Sequence, residues 1–325
     1  MKLTRRSRKR FYRKLERFLK EGGEGKMIPL ERVSGISDED LINNYIKKHI
    51  PVIIEGKAKE WECCKSWSLD YFNELHGTDQ VLYVDAQNKE KKGYVESSLA
   101  EVIEKIKNGE GEYYRFYPLL KKHPEHLLDF DYKWLRKCRT KGGVGEAFQV
   151  FIGGKGSYTP VHNANGHNLF TQVYGEKEWM LYPSHYTAII DPDPARNVSR
   201  GAPKRKGLVF NPFEDVTEAH ELYRYMDGYH VKLQPGDVLY NPPYWWHCVQ
   251  NPSNSIGVGY RWFTPIKAFL GDPLYMFLDA FVFSPPIWKN WRNYEDFNLI
   301  QLAEAGKLKK ISKEKGVRKL KDSVS

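Results

Sequence analysis

Residues 158–179 read YTPVHNANGHNLFTQVYGEKEW, and residues 233–247 read LQPGDVLYNPPYWWH. The first stretch leads into the β-rich run Phe170–Tyr174, stopped at Gly175, and then into Glu178–Tyr182, stopped at Pro183. The second turns at Pro235-Gly236-Asp237, runs through Val238-Leu239-Tyr240, and turns again at Pro242-Pro243 before reaching His247. Short runs of β-branched and aromatic residues bounded by Gly, Pro and Asn are strand signals. Each stretch carries a histidine, His162 and His247, at a strand end.

Working outward, Phe148–Ile152, Tyr229–Leu233 and Ile256–Trp262 have the same character. Many short strands at close spacing argue a sandwich or barrel, and the jelly roll is the form most often used for metal sites. The expected fold is mainly β, a double-stranded β-helix (jelly-roll) core with flanking N- and C-terminal helices. In such a core, histidines at the ends of two antiparallel strands point together into the barrel mouth. Their imidazoles suit iron, copper, nickel or zinc.

Before residue 148 the pattern is mixed. Phe11, Leu15, Phe18 and Leu19 recur at helical spacing with cations opposite, which predicts a surface helix over 4–20 docked on the body. Glu21-Gly22-Gly23-Glu24-Gly25 breaks it. Ser37-Asp38-Glu39-Asp40 resembles a capping box that opens a helix to about Lys48. Pro51–Gly56 reads as a strand stopped by glycine, Trp67 starts a further helix, Val81–Val84 is a strand and Leu99–Ile106 a helix. Residues 265–305 are strongly apolar but broken by Asp272, Pro273, Asp279 and Pro285-Pro286, which fits a buried helix or a homodimer interface better than lipid. The chain thus divides into a basic N-terminal helix and linker (1–36), a β-rich domain (37–265) and a C-terminal helical segment with a basic tail (266–325).

At 325 residues, 41% hydrophobic and 14% aromatic, the chain can build one large domain with helical additions, or two smaller ones. No apolar run is long enough for a transmembrane segment, and MKLTRRSRKR at the start has no apolar signal-peptide core. Four cysteines without metal-type spacing fit a reduced, cytoplasmic compartment. The net charge of +10 is concentrated at the ends: residues 1–20 hold ten Lys/Arg and one Glu, and residues 306–325 hold eight Lys/Arg and two acids. The body between them is net acidic. The ends could meet an anionic partner or act as solvated tails.

These two motifs resemble the cupin-like branch of the Jumonji C family of Fe(II)- and 2-oxoglutarate-dependent oxygenases. That family reads Thr-x-x-His-x-Asp, an Asn-bearing strand, a Gly-x-Lys turn, then Pro-Gly-Asp-x-x-x-x-Pro-x-x-Trp-x-His. Thr159, His162, Asn168, Gly175, Lys177, Pro235-Gly236-Asp237, Pro242, Trp245 and His247 occupy the matching places, and the resemblance covers roughly residues 40–265. It implies His162 and His247 as metal ligands, Lys177 pairing with the distal carboxylate of 2-oxoglutarate, Thr159 hydrogen-bonding it, and Asn168 supporting the site. A buried dianion needs a cation and a donor to offset its desolvation.

One position departs from the pattern. The family's Asp ligand is replaced by Ala164, whose methyl cannot coordinate a metal. By local resemblance to non-haem iron halogenases, which have Ala or Gly at that place, Ala164 marks a site for chloride, and halogenation of an unactivated C–H is the leading expectation. The alternatives are a hydroxylase that completes its shell with water, Asn163, Asn165 or His167, or a cupin-like binding module without catalysis, natural or engineered. His167 lies five residues past His162, on the opposite strand face by alternation. The barrel mouth is expected to be lined by Tyr158, Tyr244, Trp245 and Trp246. A loop over 184–229 bearing Arg196, Arg200, Lys204, Arg205 and Lys206 could close over it. The substrate is left open between a small molecule, a free amino acid and a protein side chain.

Overall fold

Alternation of apolar and polar residues places fourteen strands among the described residues of the computed structural model, which are 5–83, 95–110, 113–117, 119–190, 211–214 and 221–264. In chain order they are β1 (Met27–Pro29), β2 (Arg32–Val33), β3 (Val52–Ile54), β4 (Gln80–Tyr83), β5 (Val95–Ser98), β6 (Tyr113–Tyr117), β7 (Val144–Gly153), β8 (Tyr158–His162), β9 (His167–Tyr174), β10 (Lys177–Tyr182), β11 (Gly228–Leu233), β12 (Val238–Asn241), β13 (Trp246–Gln250) and β14 (Ser255–Phe263). Twelve of them form two sheets, ordered β1-β11-β10-β13-β8 and β2-β3-β12-β9-β14-β7-β6, while β4 and β5 pair alone. This is the jelly-roll core, mainly β, that the spacing of the strands implied.

Three apolar layers follow from strand alternation. Between the sheets, Ile53, Phe151, Phe170 and Leu239 of the larger meet Trp179, Leu181, Val231, Leu233 and Val249 of the smaller. The outer face of the larger sheet, with Val150, Leu169, Val258, Tyr260 and Trp262, is covered by Trp61, Trp67, Phe72, Leu99 and their neighbours from the helical N-terminal half. The outer face of the smaller sheet, with Val161, Tyr182, Trp246 and Cys248, is covered by Ile189, Ile190, Leu222, Tyr223 and Met226.

The Pro235-Gly236-Asp237 turn owes its form to two constraints. Gly236 has φ +95°, and a Cβ there would sit 3.0 Å from the Lys59 Cα. Asp237 is 3% exposed; its carboxylate accepts from the Gly56 N–H at 3.0 Å, the Gln234 N–H at 3.0 Å and Arg32 Nη2 at 2.8 Å. Arg32 Nη1 also donates to the Lys232 carbonyl on β11 at 3.0 Å, so this group ties the two sheets together. Removing one partner of a buried charged network leaves the others desolvated. Asp237→Ala is therefore expected to lose about 2–4 kcal/mol of stability, read as a lower urea midpoint at unchanged slope.

Several local expectations need correction. The N-terminal helix, Arg5–Gly22, docks through Leu15 and Leu19 on the outer layer of the smaller sheet, but Phe18 is 72% exposed. Leu15 and Leu19 are one turn apart and fill the contact, which turns Phe18 away. The helix opened by Ser37, whose Oγ accepts the Asp40 N–H at 3.1 Å, continues as a π-type turn over Leu41–Ile46. The wider turn lets Leu41 and Ile46, five residues apart, both be buried. A short helix, Glu62–Ser66, precedes Trp67, and the helix expected from Trp67 begins at Leu69, because Ser68 caps it by accepting the Tyr71 N–H at 3.1 Å. Among the described residues no helix is long and apolar enough to cross a membrane, and all four cysteines are free. The C-terminal helical segment, the homodimer contact expected on it, both its basic tail and the cations 196–206 lie outside the described residues.

Candidate functional site

Strands β8 and β13 run antiparallel with His162 opposite His247 and Thr159 opposite Val249. Pro160 and Val161 thus face the single Cys248, a β-bulge. The bulge matters because Thr159 and His162, three apart, would otherwise point to opposite faces. With it, both share the inner side of the sheet with His247. Pro160 suits the bulge, having no N–H to lose from the ladder.

The His162 and His247 rings lie 4.1 Å apart, centroid to centroid. Each is oriented in the same way: His162 Nδ1–H donates to the Pro160 carbonyl at 2.8 Å, and His247 Nδ1–H donates to the Trp245 carbonyl at 2.9 Å. A carbonyl only accepts, so Nδ1 carries the proton in both rings. A neutral imidazole then offers its Nε2 lone pair. Two adjacent imidazoles, each with its tautomer fixed by a backbone acceptor, meet what a pair of metal-binding histidines needs. His247 is 2% exposed, and the Trp179 ring stacks on it at 5.4 Å.

The two loops that carry these rings are joined directly. The Tyr244 N–H donates to the Ala164 carbonyl at 2.7 Å, with Tyr244 held at φ 62°. Among the described residues no group of three or more His, Cys, Asp or Glu is placed to hold a metal ion. His167 is fully buried on the other face, its Nδ1 2.9 Å from the Tyr240 hydroxyl and its Nε2 3.0 Å from Thr264 Oγ1, stacked on Trp262. It is thereby removed from the candidates for a third ligand.

Below the imidazoles the interior turns polar again. The Thr159 side chain is 4% exposed, and its Oγ1 has no hydrogen-bond partner among the described residues. Lys177 is 1% exposed; its Nζ donates to Asn251 Oδ1 at 2.5 Å. Asn251 is held in turn by Ser157 Oγ at 2.6 Å and Ser255 Oγ at 3.0 Å. Burial pulls the Lys177 ammonium down to a pKa of about 7. Asn251 lies four residues beyond His247, just past the end of β13 and about 13 Å along its direction, so Thr159 stands between the imidazoles and the ammonium.

Across the barrel, the larger sheet presents a row at the level of the mouth. Asn241 pairs with Asn168, and Asn168 with Arg261, on the neighbouring strands β12, β9 and β14. The Asn241 amide lies 3.4 Å from His247 Nδ1, which sets the row's height. Asn168 is 3% exposed, and neither its amide oxygen nor its nitrogen has a partner among the described residues. Asn241, Arg261, Trp179 and Asn251 are the residues that motif reading did not single out. Alternation alone carried the signal for Arg261, which follows Gly257 and Gly259 on one strand face.

Of the residues expected at the mouth, Trp246 is buried in the outer layer of the smaller sheet and does not face the interior. Tyr158 packs with that same layer, against Phe213. Trp245 packs with the inner cluster beside Tyr229.

The profile of the cupin-like domain family matches residues 38–269. The chain is 27% identical over 244 residues to the lysine-specific demethylase JMJ30 of Arabidopsis thaliana, covering 72% of this chain and 54% of that protein. It is 22% identical to the arginine-specific demethylase JMJ20 of the same plant, covering 72% and 57%. It is 24% identical to the lysine-specific demethylase 8 of Xenopus tropicalis, covering 69% and 50%. The chain therefore spans about half the length of these curated relatives.

Proposed function

The chain belongs to the cupin-like domain family, and on that premise we propose that it is an Fe(II)- and 2-oxoglutarate-dependent oxygenase acting through a two-histidine metal centre. The observation that carries this reading is the pair of tautomer-fixed imidazoles, His162 and His247, above a buried ammonium and an unpartnered hydroxyl. The donor set fits the group: two nitrogen ligands suit Fe(II), and Lys177 with Thr159 suits a carboxylate that must leave water.

Fe(II) with 2-oxoglutarate supplies dioxygen activation, oxidising a substrate C–H while the keto-acid loses carbon dioxide. The chain's own residues do the rest. His162 and His247 would hold the metal through Nε2. Lys177 neutralises the distal carboxylate and Thr159 donates to it. Asn168, whose buried amide has no partner among the described residues, would hydrogen-bond the co-substrate. Trp179 packs against His247 and keeps water from that side of the ring. Relatives named as lysine- and arginine-specific demethylases make a protein side chain one candidate substrate.

Ala164 leaves one metal position without a protein ligand. Occupied by water, it gives hydroxylation, the outcome that demethylase relatives favour. Occupied by chloride, it gives the halogenation expected from Ala164, and this second reading rests on that residue alone. Adding Fe(II) and 2-oxoglutarate without oxygen is expected to produce a visible charge-transfer band. No band would reduce the protein to a binding module. Where the band forms, Ala164→Asp is expected to retain it and to abolish any shift caused by bromide. A bromide shift in the unaltered protein supports the halide reading, and its absence supports hydroxylation.

A further inference from the structure

The N-terminal helix, Arg5–Gly22, carries nine Lys/Arg and two Glu, and the metal centre uses none of them. Its apolar edge is already engaged: Leu15 and Leu19 pack on the layer that covers the outer face of the smaller sheet. At about 100° per residue, Arg10, Arg13, Lys14, Arg17 and Lys20 fall within about 60° of the direction opposite that contact. All five are exposed. Two acids share the helix: Glu16 pairs with Lys20 at 2.7 Å, and Glu21 is exposed among the cations. Phe18 lies on the flank of the cationic face, one turn from Lys14 and one turn from Gly22, and is 72% exposed. A second exposed apolar side chain follows on the same side of the sheet. Met27 of β1 pairs with Gly228 of β11, whose next residues Tyr229, Val231 and Leu233 belong to the inner layer, so position 228 faces outward by alternation. A Cβ on Gly228 would fall 2.8 Å from Met27 Sδ, and Met27 is 40% exposed.

We propose that this face of the helix lies on an anionic lipid surface, with the five cations at the headgroups and Phe18 entering the interface beside them. Among the described residues no helix is long and apolar enough to cross a membrane, so the contact is in the plane of the surface. A strongly cationic face bordered by an exposed aromatic is the composition of helices that lie there. Long Lys and Arg stems let the charges stay at headgroup level while the ring goes deeper. The charge distribution also orients the protein. The chain between its two basic ends is net acidic, so an anionic surface attracts the ends and repels the body. A nucleic-acid backbone satisfies the same cations but gives Phe18 and Met27 no apolar medium to enter, which favours lipid. The surface is separate from the metal centre, because the helix covers the outer face of the smaller sheet while His162 and His247 face its inner side. The inference therefore does not depend on the oxygenase reading.

Co-sedimentation of the whole chain with mixed phosphatidylserine–phosphatidylcholine vesicles tests it. The unaltered protein is expected to sediment with them and to stay in solution with phosphatidylcholine alone. It should be released at about 1 M salt, where the Debye length falls to about 3 Å. Each cation near such a surface contributes about fivefold, so the triple variant Arg10→Gln, Lys14→Gln, Arg17→Gln should weaken binding by about 100-fold. The double variant Arg10→Lys, Arg17→Lys keeps the charge and should bind within about threefold of the parent. Phe18→Ser should weaken binding by about tenfold with every cation in place. These positions are exposed, so each variant is expected to keep the parent's circular dichroism and melting temperature. Failure of the unaltered protein to sediment with the acidic vesicles overturns the proposal. So does vesicle binding that Phe18→Ser leaves unaltered. A DNA duplex bound as tightly as the vesicles at the same salt, with the triple variant losing it and Phe18→Ser retaining it, overturns the proposal in favour of nucleic acid.

Discussion

Replacing His247 with alanine is expected to abolish the charge-transfer band that Fe(II) and 2-oxoglutarate give with the unaltered protein. The His162 and His247 rings lie side by side, and among the described residues no cluster of three ligating side chains exists to compensate. One remaining nitrogen ligand cannot fix the metal. Loss of a merely supporting outer contact already weakens metal binding by about 10–100-fold, so loss of a direct ligand should exceed 100-fold. The ring also packs beneath Trp179 at 5.4 Å, so truncation opens a hole in the core. His247→Gln, which retains most of the volume, separates the two effects: it should melt near the parent yet bind no iron. An undiminished band in His247→Gln would show that the metal sits elsewhere.

The second large effect concerns Lys177 and has opposite signs for binding and stability. Lys177→Met should weaken 2-oxoglutarate by about 100-fold or more, since a buried carboxylate would lose its counter-charge. The same change should stabilise the protein without ligand at neutral pH. Burial holds the folded-state pKa near 7, below the usual lysine value of 10.5. Between these values the unfolded chain binds the extra proton, so stability rises with pH from about 7 to about 10.5 and the burdened state lies below 7. Urea unfolding across that window should show this slope in the parent and its loss in Lys177→Met; equal slopes would refute it. Binding has the complementary dependence. The carboxylate needs the ammonium, so 2-oxoglutarate affinity should fall about tenfold per pH unit above 7, with one proton taken up per ligand. Titration heats at pH 8 in buffers of different ionisation enthalpy count that proton.

Much of this centre is legible from residue order, for a physical reason. The Thr159-x-x-His162 and Pro-Gly-Asp spacings report backbone constraints, a bulge and a positive-φ turn, that leave little freedom for other residues. Strand alternation put His167, one of the alternatives for the shell, on the opposite face from His162, and its two nitrogens lie beside Tyr240 and Thr264. What spacing does not report is contact across sheets. Asn241 reaches His247 through the fold, and Arg261 reaches Asn168 through the pairing of β14 with β9. Phe18 and Trp246 were misassigned because periodicity gives a face, and only packing decides which neighbour that face meets.

The clasp between the two histidine loops is made by the carbonyl of residue 164, received from the backbone of Tyr244. Main-chain atoms are common to every residue, so the shape of the loop does not depend on what residue 164 carries. Exchange of that one side chain alters the chemistry available at the centre while the scaffold stays as it is. Change of reaction type and retention of fold are thereby decoupled at a single codon, which makes this corner a low-barrier route for evolutionary divergence.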